Sequence, residues 1–313
     1  MVERALAIAI AVIALGGPAR ADDWHQAHVG HIALADDGVT LCRNQFDFVT
    51  TPSKIETLDQ PIADCWHVDF ATGKVTPAPI PKQSDQKWPE EPAPTAELAP
   101  GAVKVCASRS SDCKAIAIPA GDYGLAAVNA ARTIVAVQKT PTSEKQINIL
   151  TFDVATGKPL ATLTASGDIV QVLDESLFVQ SSCAAPCGGT LYNARTGKRI
   201  AEVSADVASA NDDNNTHLTG DVWAFKETAR ERGEPGLLLE HVRTGRRVKR
   251  IALDKLVRVD PSGDTEYHVF PARGGLLVVE YQTSHHPYAG DCALVDAKGN
   301  VVKRFAAPAW PTP

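Results

Sequence analysis

The chain has 313 residues, a formal net charge of −6 and 44% hydrophobic residues, an ordinary globular composition. This mild acidity argues against nucleic acid as a partner, because binding phosphate needs a basic surface. The length fits two domains or one large all-β domain.

The chain opens "MVERALAIAIAVIALGGPARADD". A basic start at Arg4, an uncharged apolar run from Ala5 to Gly17 and the small-residue site Ala19-Arg20-Ala21 read as a secretory signal peptide over 1–21. The run is shorter than the roughly 20 residues a bilayer span needs, and no later stretch reaches that length. Loss of Glu3, Arg4 and Arg20 leaves 29 basic and 36 acidic side chains, a net charge of −7. The mature chain, 22–313, is expected in the periplasm or outside the cell, without a membrane span.

Along the mature chain one unit recurs. "FDVATGKPLATLTA", from Phe152, places an Asp, then Thr-Gly-Lys, between two runs of β-formers. Gly157 accepts the positive φ of a tight turn, and Asp153 can hold the turn's N–H groups. Copies lie at Asp69 to Lys74, Asn193 to Lys198, Thr244-Gly245 and Lys298-Gly299, with a degenerate one near Ser111-Asp112. The turns fall near 73, 112, 157, 197, 245 and 299, a spacing of about 40–50 residues.

A second β-like pair precedes most copies, as in "LAAVNAARTIVAVQ" and "HVFPARGGLLVVEY". Two hairpins per period make a four-stranded blade, and stacked blades bury both faces of each sheet. The predicted fold is therefore all-β, a single β-propeller of about six blades in one domain, 22–313. A seventh blade would have to come from Gln83 to Pro100, within a Pro-rich stretch, 76–100, that reads as a loop. The competing architecture is a β-sandwich with coincident turns. An α/β fold is disfavoured because no helical pattern of about 12 residues separates the strands.

The D-x-x-T-G-K hairpins resemble those of the bacterial secreted β-propeller superfamily, with its WD40-like, YVTN-type and quinoprotein-like repeats. That resemblance implies the fold. It does not imply the quinone cofactor, because Thr76, Ala161 and Ala201 stand where quinoprotein repeats often place Trp, and the vicinal cysteine pair is missing. No cofactor is expected.

Seven cysteines suit an exported protein. Place within the repeat pairs Cys42 with Cys65, Cys106 with Cys113 and Cys183 with Cys187, and leaves Cys292 single and buried. "CAAPC", from Cys183, also has a spacing that could take Cu(I). His25, His28 and His31 are candidate Zn or Cu ligands, with a polar arm as the plain alternative. His285, His286, Tyr288 and Asp291 are candidate binding residues on a loop that ring closure brings near those histidines. The Asp/Asn-rich stretch 209–221 offers oxygen ligands to Ca²⁺ or serves as a connector. The basic residues around Arg243 read as a charged outer edge.

No G-x-S-x-G, H-E-x-x-H, P-loop or dinucleotide motif is present. The expectation is thus an exported, non-enzymatic module that binds an unidentified protein or small molecule at a channel-end loop face. The alternatives are a lactonase-like metal-dependent hydrolase and an envelope metal-binding protein.

Overall fold

The computed structural model describes residues 24–50, 55–59, 62, 64–82, 94–107, 112–140, 146–180, 189–203, 215–227, 235–259, 265–283 and 290–308. The expected leader, 1–21, lies outside them, as do Cys183, Cys187, His285, His286 and Tyr288.

Six antiparallel blades follow one another along the chain, with blades 6 and 1 joined in one nine-stranded sheet. Blade 1 holds β1 (Trp24–Leu34), β2 (Gly38–Thr50), β4 (Asp64–Asp69) and β5 (Val75–Pro77), with β3 (Ile55–Asp59) pairing the far end of β2. Blade 2 holds β6 (Thr95–Ala99), β7 (Ala102–Cys106) and β8 (Cys113–Ala117). Blade 3 runs β9 (Tyr123–Val128), β10 (Ile134–Lys139), β11 (Ile147–Asp153) and β12 (Pro159–Ala165). Blade 4 runs β13 (Asp168–Leu173), β14 (Ser176–Gln180), β15 (Gly189–Asn193) and β16 (Arg199–Val203). Blade 5 runs β17 (Asn215–Thr219), β18 (Val222–Glu227), β19 (Gly236–His241) and β20 (Arg246–Ala252). Blade 6 runs β21 (Thr265–Ala272), β22 (Gly275–Thr283), β23 (Cys292–Asp296) and β24 (Val301–Phe305).

The fold is an all-β propeller of six blades. Strands β5 and β6 occupy the ends of the stretch expected as a Pro-rich loop, and β6 belongs to blade 2 rather than to a seventh blade. Among the described residues blade 2 shows three strands. Its β8 takes the outermost place: Ile116 lies under the Gly157 turn of blade 3, as Ala201 lies under the Gly245 turn of blade 5.

Burial explains the sequence pattern. Ile134 to Val137 are all 0% exposed because Ile134 and Ala136 pack toward blade 4 while Val135 and Val137 pack toward blade 2. A sheet held between two neighbours has no wet face, so alternation disappears. Five hydrophobic clusters join blades 2 and 3, 3 and 4, 4 and 5, 5 and 6, and 6 and 1. The chain's ends meet at the last seam, where β1 pairs β22 through Ala27 with Thr283 and His28 with Gln282. Among the described residues no hydrophobic cluster spans blades 1 and 2.

Each of these five seams also carries a hydrogen bond into the outer hairpin turn of the next blade. Lys114 Nζ donates to the Ala155 carbonyl, Thr151 Oγ1 to Ala194 O (2.7 Å) and Ser176 Oγ to Val242 O (2.9 Å). Lys249 Nζ donates to Asn300 Oδ1 (3.0 Å) and Lys303 Nζ to Ala71 O (3.1 Å). Such bonds contribute about 1 kcal/mol each and fix the angle between blades more than the total stability.

Candidate functional site

The described outer hairpin turns, those of blades 1, 3, 4, 5 and 6, lie along one end of the ring, here called the turn rim. In blade 3, Asp153 Oδ1 accepts from the Thr156 N–H and hydroxyl, both at 2.8 Å, and Gly157 turns the chain at φ 69°. Blade 1 repeats this with Asp69 and Thr72 (2.6 and 2.8 Å), and blade 4 with Asn193 and Thr196 (2.9 and 3.1 Å). The Thr156 hydroxyl and N–H hold the Asp153 carboxyl below the usual carboxylate range, and the Thr72 N–H and hydroxyl do so for Asp69. The Thr N–H and hydroxyl both go to Oδ1 of the acid, so one oxygen of each carboxylate is occupied by its turn. In blade 5, His241 takes the Asp position and its Nδ1 bonds Asp221 at 2.8 Å instead.

Ion pairs cross between blades along this rim. Arg132 of blade 3 lies 3.9 Å from Asp112 of blade 2, Arg195 of blade 4 lies 3.8 Å from Asp153 of blade 3, and Arg243 of blade 5 grips Asp174 of blade 4 at 2.6 Å; Arg195 also pairs with Glu175 inside its own blade at 2.9 Å. Arg132 and Asp174 both sit at φ 53°, each in the inner hairpin turn of its blade. Between blades 2, 3 and 4 these groups border a cleft of about 400 Å³ lined by Asp112, Lys114, Arg132, Thr133, Asp153 and Arg195. Three cations and two carboxylates therefore converge on one recess from three blades. A smaller cleft of about 300 Å³, between Leu98 to Gly101 and Ile118 to Tyr123, is walled by backbone and proline and offers one charged side chain, Asp122.

Of the candidate ligand and binding residues named from the sequence, the described ones do not line this cleft. His28 and His31 are buried in β1, at 5% and 6% exposure. A bulge between Val29 and His31 breaks their spacing: His31 registers with Cys42, while the His28 ring meets Tyr281 edge-on at 5.8 Å. His25 stands opposite Asp47 near the start of β1. Among the described residues, no three His, Cys, Asp or Glu side chains cluster in a way that could hold a metal ion. Asp291 is buried rather than presented on a loop. It takes a two-point grip from Arg258 (2.6 and 2.5 Å) and the N–H of Ala307 (2.7 Å), tying the C-terminal segment to blade 6. Cys42 is bonded to Cys65, and Cys106 to Cys113, each across adjacent strands of one blade. Cys292 is a buried free thiol whose pKa is pushed up by burial and by the neighbouring Asp291, so it is not a thiolate nucleophile at neutral pH.

Sequence reasoning missed the cleft, because it treated each turn as a structural device. The signal was present: copies one period apart must lie side by side on one rim, so Asp112, Asp153 and Arg195 are neighbours. It also missed Glu240, a lone acid in "GLLLEHV" that is 3% exposed.

No protein-family model and no curated protein match the chain. Solved structures with a similar path include an acylaminoacyl peptidase of Pyrococcus horikoshii, at 9% identity and a TM-score of 0.38, over 88% of this chain and 46% of that one. A chain described as a dipeptidyl aminopeptidase IV of Bacteroides ovatus aligns at 10% identity and a TM-score of 0.35, over 90% of this chain and 40% of that one. The chain thus spans less than half the length of either. Both are named as peptidases, against the expectation of a non-enzymatic module; a fold of itself neither gives nor excludes catalysis.

Proposed function

We propose that this protein is an exported hydrolase of the propeller fold that holds a short zwitterionic peptide in the turn-rim cleft. The observation that carries the reading is the alternation of Lys114, Arg132 and Arg195 with Asp112 and Asp153 around one recess of about 400 Å³. Cations there suit the peptide's terminal carboxylate, and the carboxylates suit its ammonium end. Asp112, with its side chain 86% exposed at the cleft lip, is the carboxylate open to water and is assigned to water activation. Thr133 lines the same wall and positions the peptide.

Export is supported by the leader-like N-terminus and by two disulfides, which persist in oxidising compartments. The D-x-x-T-G-K hairpins are the feature that supports a likeness to the secreted propeller superfamily with WD40-like, YVTN-type and quinoprotein-like repeats.

The test incubates the oxidised mature chain with a defined pool of di- to hexapeptides and follows each by mass spectrometry. Time-dependent cleavage is expected, with kcat/KM falling about tenfold or more in Arg132→Ala, Arg195→Ala and Asp112→Asn, the scale of one lost charge-assisted contact. A folded wild-type chain that leaves every peptide intact overturns the reading.

A further inference from the structure

The seam between blades 4 and 5 contains an anomaly that the cleft does not use. Its cluster is otherwise apolar: Leu173, Phe178 and Leu191 of blade 4 pack on Phe225, Leu238 and Val242 of blade 5. Into this layer β19 places Glu240, 3% exposed, opposite Trp223 of β18 and Arg247 of β20. Two buried polar atoms here have no hydrogen-bond partner, Glu240 Oε1 and Trp223 Nε1. A Cβ added at Gly245 would stand 3.8 Å from that carboxyl oxygen and 2.0 Å from the Cβ of Ala201, so the outer turn of blade 5 and β16 of blade 4 close over the acid.

We infer that the blade 4–5 seam is a proton-operated latch, closed when Glu240 carries its proton and loosened when it loses it. A neutral carboxyl sits in an apolar seam at modest cost, whereas a carboxylate must gain water or a cation. Water can reach Oε1 only if the Gly245 turn lifts from Ala201.

The surrounding charges leave Glu240 to decide the switch. Arg247 favours the ionised form, but burial outweighs it and holds the carboxyl up to about 7. Among the described residues, His217 of β17 meets Trp223 ring to ring at 5.4 Å, and farther along the same face Glu227 of β18 is paired with Arg250 of β20 at 2.6 Å. On β16, Arg199 and Glu202 pair with each other and share the face of Tyr192 and Thr190, turned toward blade 3. The rim pair Arg243–Asp174 bridges the same two blades outside the apolar layer. The folded chain keeps the Glu240 proton up to about pH 7, whereas the unfolded chain releases it near 4.5. The folded state binds more protons between these values, so this contribution is complete below the lower one and lost as pH rises through the upper.

Hydrogen exchange and melting temperature, each measured from pH 4.5 to 8.5 on wild type and Glu240→Gln, test the latch. The amide side chain cannot ionise. Wild type is expected to lose several °C more than the variant across this range. Exchange corrected for intrinsic rate should rise at 199–203 and 246–252 while 134–139 stays protected. The wild-type exchange profile needs no variant, so a poorly folding Gln form does not remove the test. Equal pH slopes in the two proteins, or loosening spread evenly over all seams, overturn the proposal. Peptide cleavage plays no part in either readout.

Discussion

The blade 5–6 seam and the facing sides of blades 1 and 2 are built from the same repeat and held by different means. In the first, Leu237, Leu239, Leu276 and Val278 are 0% exposed and Tyr267 is 1% exposed. The Tyr267 hydroxyl donates to the Glu227 carbonyl at 3.1 Å and also contacts Gly236 O, so even the polar atom is satisfied. On blade 2, the face away from blade 3 carries Glu97, Lys104, Ala115 and Ala117, all exposed. On blade 1, the face away from blade 6 carries Thr40 and His67, half-buried and in contact at 3.1 Å. Both disulfides lie on these two faces: Cys42 and Cys65 alternate with the core residues Leu41 and Trp66, and Cys106 alternates with Val105. Where apolar burial gives out, covalent bonds between neighbouring strands take over. The Cys42–Cys65 bridge spans 23 residues and the Cys106–Cys113 bridge 7, worth about 3 and about 2.5 kcal/mol by loop closure.

The sharpest way to break this contrast is to exchange the threats. Leu239→Ala removes a 0% exposed side chain from the 5–6 seam and should cost about 4 kcal/mol in denaturant unfolding. Adding a reductant should leave that seam's amide protection unchanged. The double change Cys42→Ser with Cys65→Ser should cost about 3 kcal/mol. Its loss of protection should concentrate in β2 and β4, with β19 and β22 unaffected. If reduction loosens every blade equally, the division of labour between core and disulfide is wrong.

A finer contrast compares two glycines with the same conformation. Gly157 and Gly245 have φ 69° and 67°, so an alanine is strained at both. A Cβ at Gly157 would meet Ile116 at 3.9 Å, an ordinary contact, while one at Gly245 would stand 2.0 Å from the Ala201 Cβ. Gly157→Ala should cost about 1 kcal/mol, the backbone penalty alone. Gly245→Ala should cost about 2–3 kcal/mol, because overpacking adds to it. Equal losses would mean that the blade 4–5 seam yields without resistance.

The outer hairpins were legible because each needs a residue that can turn and an acid or amide to hold the turn; Asp153, Thr156 and Gly157 announce themselves. The paired faces of β10 and β22 were legible as apolar runs without alternation. That no hydrophobic cluster of the described residues joins blades 1 and 2 was not legible, because Lys104 and Ala115 read the same whether a sheet faces water or a neighbour. The placement of His28 and His31 was not legible, since the bulge between Val29 and His31 sets their register and no local residue marks it. The cleft was legible only in part: the repeat period makes Asp112, Asp153 and Arg195 neighbours, but Arg132 comes from an inner turn and joins them only once the ring packs. Glu240 was visible as a charge among leucines, but its proton is fixed by what covers it.

The smallest expected effect tests whether the turn acid is a hydrogen-bond acceptor or a charge. Blade 4 already uses Asn193 in this role, and its amide oxygen accepts the same two Thr196 bonds at 2.9 and 3.1 Å. Asp153→Asn should therefore fold normally and melt within about 1 °C of wild type at pH 7. Arg195 keeps its 2.9 Å contact with Glu175. The difference should appear in acid. The Asp153 carboxyl is held below its ordinary 3.8 by the Thr156 hydroxyl and N–H, so its stabilisation is present above that value and fades as pH falls through the lowered one. The asparagine form has no proton to gain there, so its acid unfolding should be the shallower of the two. An Asn variant that is already unstable at pH 7 would mean that charge, and not hydrogen bonding, holds the repeat's turn.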